Sequence, residues 1–210
     1  MHLINPIRIY VILTFVMVLL FYERKNRKHQ LLLAAVGLAT VNELLTVAFR
    51  LYGLPYSFST SVYVVFHTVL WFLIFIRVSS MATSIRSAMM VYIGFTLYNF
   101  CFLDGIRTFN SYTFIVGALL YVILFIADSV RELNRENLDY FSSPNYILIA
   151  APVLFFTCFS FSFGFKTTLY DNVVLFDDFT VWNCISYFAN ITYYTMINIY
   201  LYRNKKYKNG

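Results

Sequence analysis

Four long stretches of the sequence contain no Asp, Glu, Lys or Arg: they cover residues 51–76, 108–127, 140–165 and 179–202. A membrane-spanning helix needs about 20 consecutive and mostly apolar residues. Only 12% of the residues are charged, whereas a soluble domain carries roughly a quarter. Because so few charges cannot cover a water-facing surface, the sequence predicts an all-α, polytopic transmembrane bundle surrounded by lipid.

Shorter apolar segments between these stretches raise the expected number of membrane helices to seven. The predicted helices lie at about 5–22, 31–51, 61–79, 87–103, 111–130, 145–165 and 179–202. The connecting segments are too short to hold a separate soluble domain. We therefore expect residues 1–210 to form a single transmembrane domain.

The basic residues predict the orientation of this bundle. Twelve of the sixteen Lys and Arg residues share one side if the loops after the first, third and fifth predicted helices, and the C-terminal tail, are cytoplasmic. The other side keeps Arg8, Arg50, Arg107 and Lys166. Cytoplasmic loops are enriched in Lys and Arg, so the sequence predicts an external N-terminus and a cytoplasmic C-terminus in a multi-pass protein of the bacterial inner membrane. Topology also explains the net charge of +6, and nucleic acid is not an expected partner.

Glu43 is the most informative polar residue, because it lies beside Asn42 well inside the second predicted helix. A carboxylate at membrane depth is costly and usually faces the interior of the bundle. It could serve a proton, an ion or a ligand, or it could simply tie helices together through hydrogen bonds. Arg50 follows on roughly the same helical face, where it could extend a polar stripe or reach the outer interface.

Other polar residues inside predicted helices could complete a polar pocket around Glu43. His67 in the third helix could hydrogen-bond Glu43, contact a ligand or make an interhelical contact. The seventh helix has a stripe at spacings of three and four, which places its members on one face: Asn183, Tyr187, Asn190, Tyr194 and Asn198. Amides also tie membrane helices together, so packing is the alternative. The predicted ligand or ion pathway is Asn42, Glu43, Arg50, His67, Asn99, Asn183, Asn190 and Asn198.

The segment between the fifth and sixth predicted helices mixes charges of both signs and is expected to extend the fifth helix beyond the membrane. Asp128, Glu132 and Arg135 lie at helical spacing, so they can pair. We expect Arg131, Glu132 and Arg135 to contact a partner protein, which could be a membrane or cytoplasmic signalling protein. A homo-oligomer is a further possibility.

Catalytic and cofactor motifs are missing from the sequence. It contains no H-E-x-x-H, no G-x-S-x-G and no Walker loop, and each of these motifs carries a defined chemistry. A lone membrane His does not make a zinc site, which needs three or four ligands. The seventh predicted helix has no Lys in its middle for a retinal Schiff base. The sequence therefore predicts no enzyme, no metal site and no cofactor.

Four short motifs resemble those of a group of small uncharacterised seven-helix membrane proteins of Bacteroidota. They are the Asn42-Glu43 pair before aliphatic residues, Asn110-Ser-Tyr-Thr, Ser143-Pro144-Asn145, and the stretch from Asn190 to Tyr194 before a basic tail. Members of that group are often encoded beside sensor histidine kinases. The resemblance implies a signalling or accessory role, and it transfers no site residue.

These observations leave several functions open. The first is a sensory or accessory membrane module with a polar pocket, coupled through its cytoplasmic loops to a partner. The second is a small transporter, channel or pore-forming effector, for example in bacterial defence, in which Glu43 would govern ion coupling or selectivity. An enzyme acting on lipid would need an interfacial acidic cluster, for which only Asp171, Asp177 and Asp178 are candidates. A structural or assembly role completes the set.

Overall fold

The computed structural model describes residues 6–105, 108–165, 173–176 and 179–209. Arg107, Lys166, Asp171, Asp177 and Asp178, which entered the predictions above, lie outside these described residues. Within them the protein is all-helical apart from one pair of short strands. The all-α fold predicted from the sequence is confirmed.

Each predicted helix has a counterpart in the structure. The helices are α1 (Pro6–Leu20), α2 (Arg27–Leu51), α3 (Ser57–Val78), α4 (Ala82–Tyr98), α5 (Ser111–Asn134), α6 (Leu138–Ser142), α7 (Pro144–Gly164) and α8 (Val181–Asn209). A π-helical turn, Asn99–Leu103, continues α4. The short helix α6 was not predicted. Strands β1 (Val174–Phe176) and β2 (Phe179–Thr180) pair antiparallel. Strand β1 lies in a segment predicted as loop, whereas β2 takes the first two residues of the predicted seventh helix, which begins at Val181 instead.

Four of the helices are long and apolar enough to cross a membrane, namely α2, α3, α5 and α7. Their length and composition make the chain a membrane protein. The apolar helix α1 is shorter, with 15 residues. Many of the large apolar side chains on these helices are exposed, as expected for surfaces that face lipid rather than water.

Capping explains where two of these helices begin. Asn26 precedes α2, and its side chain accepts a hydrogen bond from the amide of Lys28. Ser143 caps α7 in the same way by accepting from the amide of Tyr146, and Pro144 occupies the first helical position. Such caps satisfy backbone amides that have no partner inside the helix. They start α2 four residues earlier than hydropathy alone suggests.

Helix α3 occupies the centre of the bundle, where it packs against α2, α4, α5 and α7. Helix α8 closes the assembly by packing against both α7 and α1. Large aromatic side chains fill the middle, and Trp71, Phe72, Tyr92, Tyr121 and Phe156 are all fully buried. Arg8 near the start of α1 bonds Glu43 in the second half of α2, so these two helices run in opposite directions. One end of the bundle therefore holds the start of α1 and the end of α2, and we call it the α1 end.

Candidate ligand-binding cavity

A cavity of about 300 Å³ lies at the α1 end, between α2, α3, α5, α7 and α8. It is at the lower limit of the volumes usual for small-molecule sites, roughly 300–1,000 Å³. Five residues predicted from the sequence line it together: Asn42, Glu43, Arg50, His67 and Asn190. Because they come from α2, α3 and α8, the fold brings residues that are far apart in the chain to one site.

Glu43 forms an ion pair with Arg8 across the α1–α2 contact. The Nε of Arg8 donates to Oε2 of Glu43 at 3.1 Å, and the two side chains are 17% and 33% exposed. Among the described residues this is the only hydrogen bond recorded for the Glu43 carboxylate, so its other oxygen retains acceptor capacity towards the cavity. Arg8 was not predicted as a site residue. A carboxylate at membrane depth is usually paired with a cation at the same level. A search of the sequence for such a cation could have identified Arg8.

Arg50 stands at the mouth of the cavity with Tyr56. Its Nη2 donates to the Tyr56 hydroxyl at 3.4 Å, and its guanidinium carbon lies 5.0 Å from the centre of the Tyr56 ring. Arg50 is exposed, so a cation–π contact of this kind contributes modestly, about 0.5–1 kcal/mol. The predicted polar stripe from Glu43 to Arg50 therefore lines one wall of the cavity.

His67 lines the cavity at its inner end, and it belongs to a buried group of three side chains with Trp71 and Tyr193, which we call the floor. The Nε1 of Trp71 donates to Nε2 of His67 at 3.2 Å and to the Tyr193 hydroxyl at 2.9 Å, and that hydroxyl lies 3.0 Å from the same His67 nitrogen. Each of the three residues is at most 2% exposed. His67 thus takes these partners rather than Glu43, which the sequence had suggested as one possibility.

The wall opposite Glu43 is aromatic. Its side chains come from the start of α5, the second half of α7 and the start of α8: Phe114, Phe155, Phe159, Phe163 and Trp182. Neighbouring rings stack against each other, with Phe159 and Phe163 lying 5.9 and 5.6 Å from the Trp182 ring. No role was predicted for these rings from the sequence. Aromatic composition alone does not distinguish a cavity wall from a core.

Asn42 and Tyr63 connect this cavity with a second, outward-facing groove. The groove has a volume of about 490 Å³, lies between α2 and α3, and is otherwise almost entirely apolar. Both residues line both spaces. The Oδ1 of Asn42 is buried and has no hydrogen-bond partner in the described structure. Burying such an atom is costly, so a ligand or a water at the boundary between the two spaces would stabilise it.

The other predicted asparagines do not line the cavity. The Nδ2 of Asn99 donates to Oγ1 of Thr113 at 2.8 Å, which ties the end of α4 to α5. The Nδ2 of Asn198 donates to Oγ1 of Thr14 at 3.1 Å, which ties α8 to α1. Asn183 lies in the first turn of α8, where its backbone amide donates to Thr180. Asn99 and Asn198 therefore match the alternative of interhelical packing.

At the opposite end of the bundle, two buried carboxylates fasten the α3–α4 turn to the end of α5. Asp128 accepts hydrogen bonds from the hydroxyls of Ser79 and Tyr140. Glu132 accepts from Ser80 at 3.1 Å and from the Asn137 amide at 2.8 Å. We call this group the carboxylate clasp: Ser79, Ser80, Asp128, Glu132, Asn137 and Tyr140.

The three residues predicted to contact a partner differ in their exposure at this clasp. Glu132 is buried and bonded within the chain, whereas Arg131 and Arg135 are exposed. Arg135 also pairs with Glu132 at 3.1 Å, which confirms the pairing expected from helical spacing. Burial, together with the adjacent Asp128, raises the pKa of Tyr140 above its ordinary value. Tyr140 therefore stays protonated and remains a hydrogen-bond donor.

Among the described residues, no three His, Cys, Asp or Glu side chains converge in a way that could hold a metal ion. Comparison with protein-family models, with curated proteins and with solved structures gives no match for this chain. The geometry of the cavity and of the two ends of the bundle therefore carries the functional interpretation.

Proposed function

We propose that this protein is a sensory or accessory module of the bacterial inner membrane that binds a small ligand in the cavity at its α1 end. In this proposal seven helices cross the bilayer, with the N-terminus outside and the C-terminus in the cytoplasm. The cavity then opens to the outer face. The observation that carries the proposal is a polar cavity, with a partly open Glu43–Arg8 pair, that ends on a buried floor.

The two sides of the cavity indicate the chemical class of the ligand. One wall offers a carboxylate, an amide and a guanidinium from Glu43, Asn42 and Arg50, and the other wall is built of aromatic rings. A small amphipathic solute with a polar, hydrogen-bonding end and an apolar body matches both. Ligand pockets commonly combine a few placed polar groups with an apolar lining in this way.

Signal transfer would use the helices that line the cavity and end at the clasp. Helix α3 carries His67 at the cavity floor and ends one residue before Ser79, and α5 carries Phe114 at one end and Asp128 near the other. A small shift of these helices on ligand binding would alter the clasp and the exposed Arg131 and Arg135 beside it. The proposed partner is a signalling protein such as the sensor kinases suggested by the resemblance.

The closed floor of the cavity also distinguishes a binding module from a pore. Below His67 and Trp71, the middle of the bundle is filled by side chains such as Phe72 and Tyr121 that are fully buried. A binding module needs no passage through this layer, whereas a pore does. Purified protein in liposomes should therefore release no entrapped potassium or fluorescent dye, and sustained release would favour the transporter or pore alternative.

Cysteine labelling tests the cavity and the orientation together. In a background with Cys101, Cys158 and Cys184 replaced by Ser, Thr46→Cys places a thiol in the cavity. A membrane-impermeant maleimide added to intact spheroplasts should label it. The matched control is Thr14→Cys, which is buried between α1 and α8 and should stay unlabelled. Labelling of Thr46→Cys only in inverted vesicles would contradict the proposed orientation.

A further inference from the structure

A second cavity holds three arginines at the end of the bundle opposite the α1 end. It has a volume of about 320 Å³ and lies between α2, α3 and α4. Arg27, Arg77 and Arg86 line it together with apolar residues that include Leu31, Leu73 and Ile76. None of these residues lines the cavity at the α1 end.

Within the part of the chain that the structure describes, the three guanidinium groups have no acidic partner. Among the described residues, Arg77 and Arg86 have no hydrogen-bond acceptor or ion pair, and Arg27 reaches only the side chain of Gln30, at 3.3 Å. None of the described residues that line the cavity is acidic. The preference of Lys and Arg for one membrane side explains why they lie at this end. It does not explain why three of them, from three helices, line one cavity.

The position of the arginines along the helices matches the level of lipid headgroups. Arg27 is the first residue of α2, Arg77 is one residue from the end of α3, and Arg86 lies near the start of α4. Leu31 and Leu73 each lie one helical turn further into the bundle on helices long enough to cross a membrane. The cavity is thus basic at the membrane surface and apolar below it.

From this arrangement we infer that the cavity binds the phosphate of an anionic phospholipid, with the start of an acyl chain against Leu31, Leu73 and Ile76. Guanidinium groups bind phosphate oxygens in bidentate geometry. Basic pockets between membrane helices are a known arrangement for acidic lipid headgroups. A bound phosphate would also supply the anionic partner that these arginines lack among the described residues. The inference is independent of the proposed ligand cavity and of which way the protein faces.

Native mass spectrometry of the purified protein tests this site. The protein is exchanged into micelles that contain equal amounts of phosphatidylglycerol and phosphatidylcholine, and the lipid-bound species are counted. The wild type should retain phosphatidylglycerol preferentially. In the variant Arg77→Gln with Arg86→Gln, that preference should fall by roughly 30-fold, because each basic residue near an anionic surface contributes about a fivefold effect.

A matched control removes the same charge from the same end of the bundle. Arg24→Gln with Arg203→Gln changes two exposed arginines that do not line the cavity, and it should keep the wild-type preference. An equal loss in this control would overturn the inference, because the lipid would then respond to overall charge. The free-phosphate source is tested with inorganic phosphate and with glycerol 3-phosphate. Displacement of the lipid by either at equal concentration would also overturn it.

A second variant keeps the test decisive if the glutamine pair does not fold. Arg77→Lys with Arg86→Lys retains both charges and most of the packing, but it loses the bidentate geometry. The amount of phosphatidylglycerol that it retains should be clearly below that of the wild type. Retention equal to the wild type's would contradict a site built on guanidinium–phosphate contacts.

Discussion

The two ends of the bundle hold their carboxylates in different ways. At the clasp, Asp128 and Glu132 are 1% and 6% exposed, and each accepts hydrogen bonds from at least two side chains. At the α1 end, the Glu43 side chain is 33% exposed and its recorded partner among the described residues is Arg8. A carboxylate whose oxygens are satisfied within the chain holds the chain together. A carboxylate with an oxygen open to a cavity can still accept a hydrogen bond from a bound molecule.

The same contrast applies to the basic residues. The exposed Arg131 and Arg135 lie beside the clasp, on the side that the sequence predicts to be cytoplasmic, whereas Arg8 and Arg50 are among the few cations predicted on the other side. The structure places both of these exceptions at the ligand cavity, one paired with Glu43 and the other at the mouth. Among the described residues, the cations that depart from the predicted topological pattern are therefore the ones at the candidate site.

The largest effect is expected from Asp128→Ala. Ser79 and Tyr140 would both lose their acceptor, and hydrogen bonds to a charged group contribute about 1.5–3 kcal/mol each. We expect the free energy of unfolding in detergent micelles to fall by about 3 kcal/mol or more. Asp139→Ala, an exposed carboxylate in α6, is the matched control and should change it by less than about 0.5 kcal/mol. Equal losses in the two variants would mean that the clasp does not fasten the helices.

Gly117 lies between the two ends of the bundle, and substituting it tests the cost of overpacking by itself. A Cβ at this position in α5 would lie 2.6 Å from a ring carbon of Tyr92 and 2.9 Å from the methyl group of Thr68. Overpacking of this kind costs about 1–3 kcal/mol, and the gain in helix propensity returns up to about 1 kcal/mol. Gly117→Ala should therefore lower the free energy of unfolding by about 1 kcal/mol.

The matched control for Gly117 is Gly94→Ala in α4, where a Cβ would have no neighbour within 4 Å. That variant should be neutral or more stable, because only the propensity gain remains. Thermal unfolding of the two variants side by side gives the difference directly. If Gly117→Ala were as stable as Gly94→Ala, the close approach of α5 to α3 and α4 would not contribute to stability.

Hydropathy was sufficient to predict where the long helices lie, but local contacts set where they end. The membrane span of helix α5 was predicted to end at about residue 130, and the helix was expected to extend beyond the membrane. It does continue, to Asn134, and Glu132 in this extension accepts hydrogen bonds from Ser80 and Asn137. These partners come from other segments, and no pattern within α5 reveals them. Crossing of the bilayer seven times, and the orientation, remain predictions.

The cavity could be predicted from the sequence only through residues that are costly in a membrane. Asn42, Glu43 and His67 stand out in apolar surroundings, and they do share a cavity. Asn198 stands out equally but bonds Thr14, because the rotation of α8 against its neighbours decides which asparagine faces the cavity. That rotation depends on the packing of all the helices. The aromatic wall had no signal of its own for the same reason.

The smallest effect on stability is expected from Glu43→Gln, and it is the sharpest test of the contrast between the two ends. A partly exposed ion pair contributes about 0–1 kcal/mol, so the loss should stay below about 1 kcal/mol. The same substitution at the clasp, Glu132→Gln, presents an amide group to the donors of Ser80, Asn137 and Arg135. It should cost about 2 kcal/mol. Unfolding of both variants under identical detergent conditions measures the difference.

Arg8→Gln, alone and combined with Glu43→Gln, completes a double-mutant cycle for this pair. We expect a coupling energy below about 1 kcal/mol, because the pair is screened by the open cavity. A coupling as large as the cost of Glu132→Gln would make Glu43 a structural tie between α1 and α2. The difference between the two ends would then disappear, and the cavity would lose the group that makes it a candidate binding site.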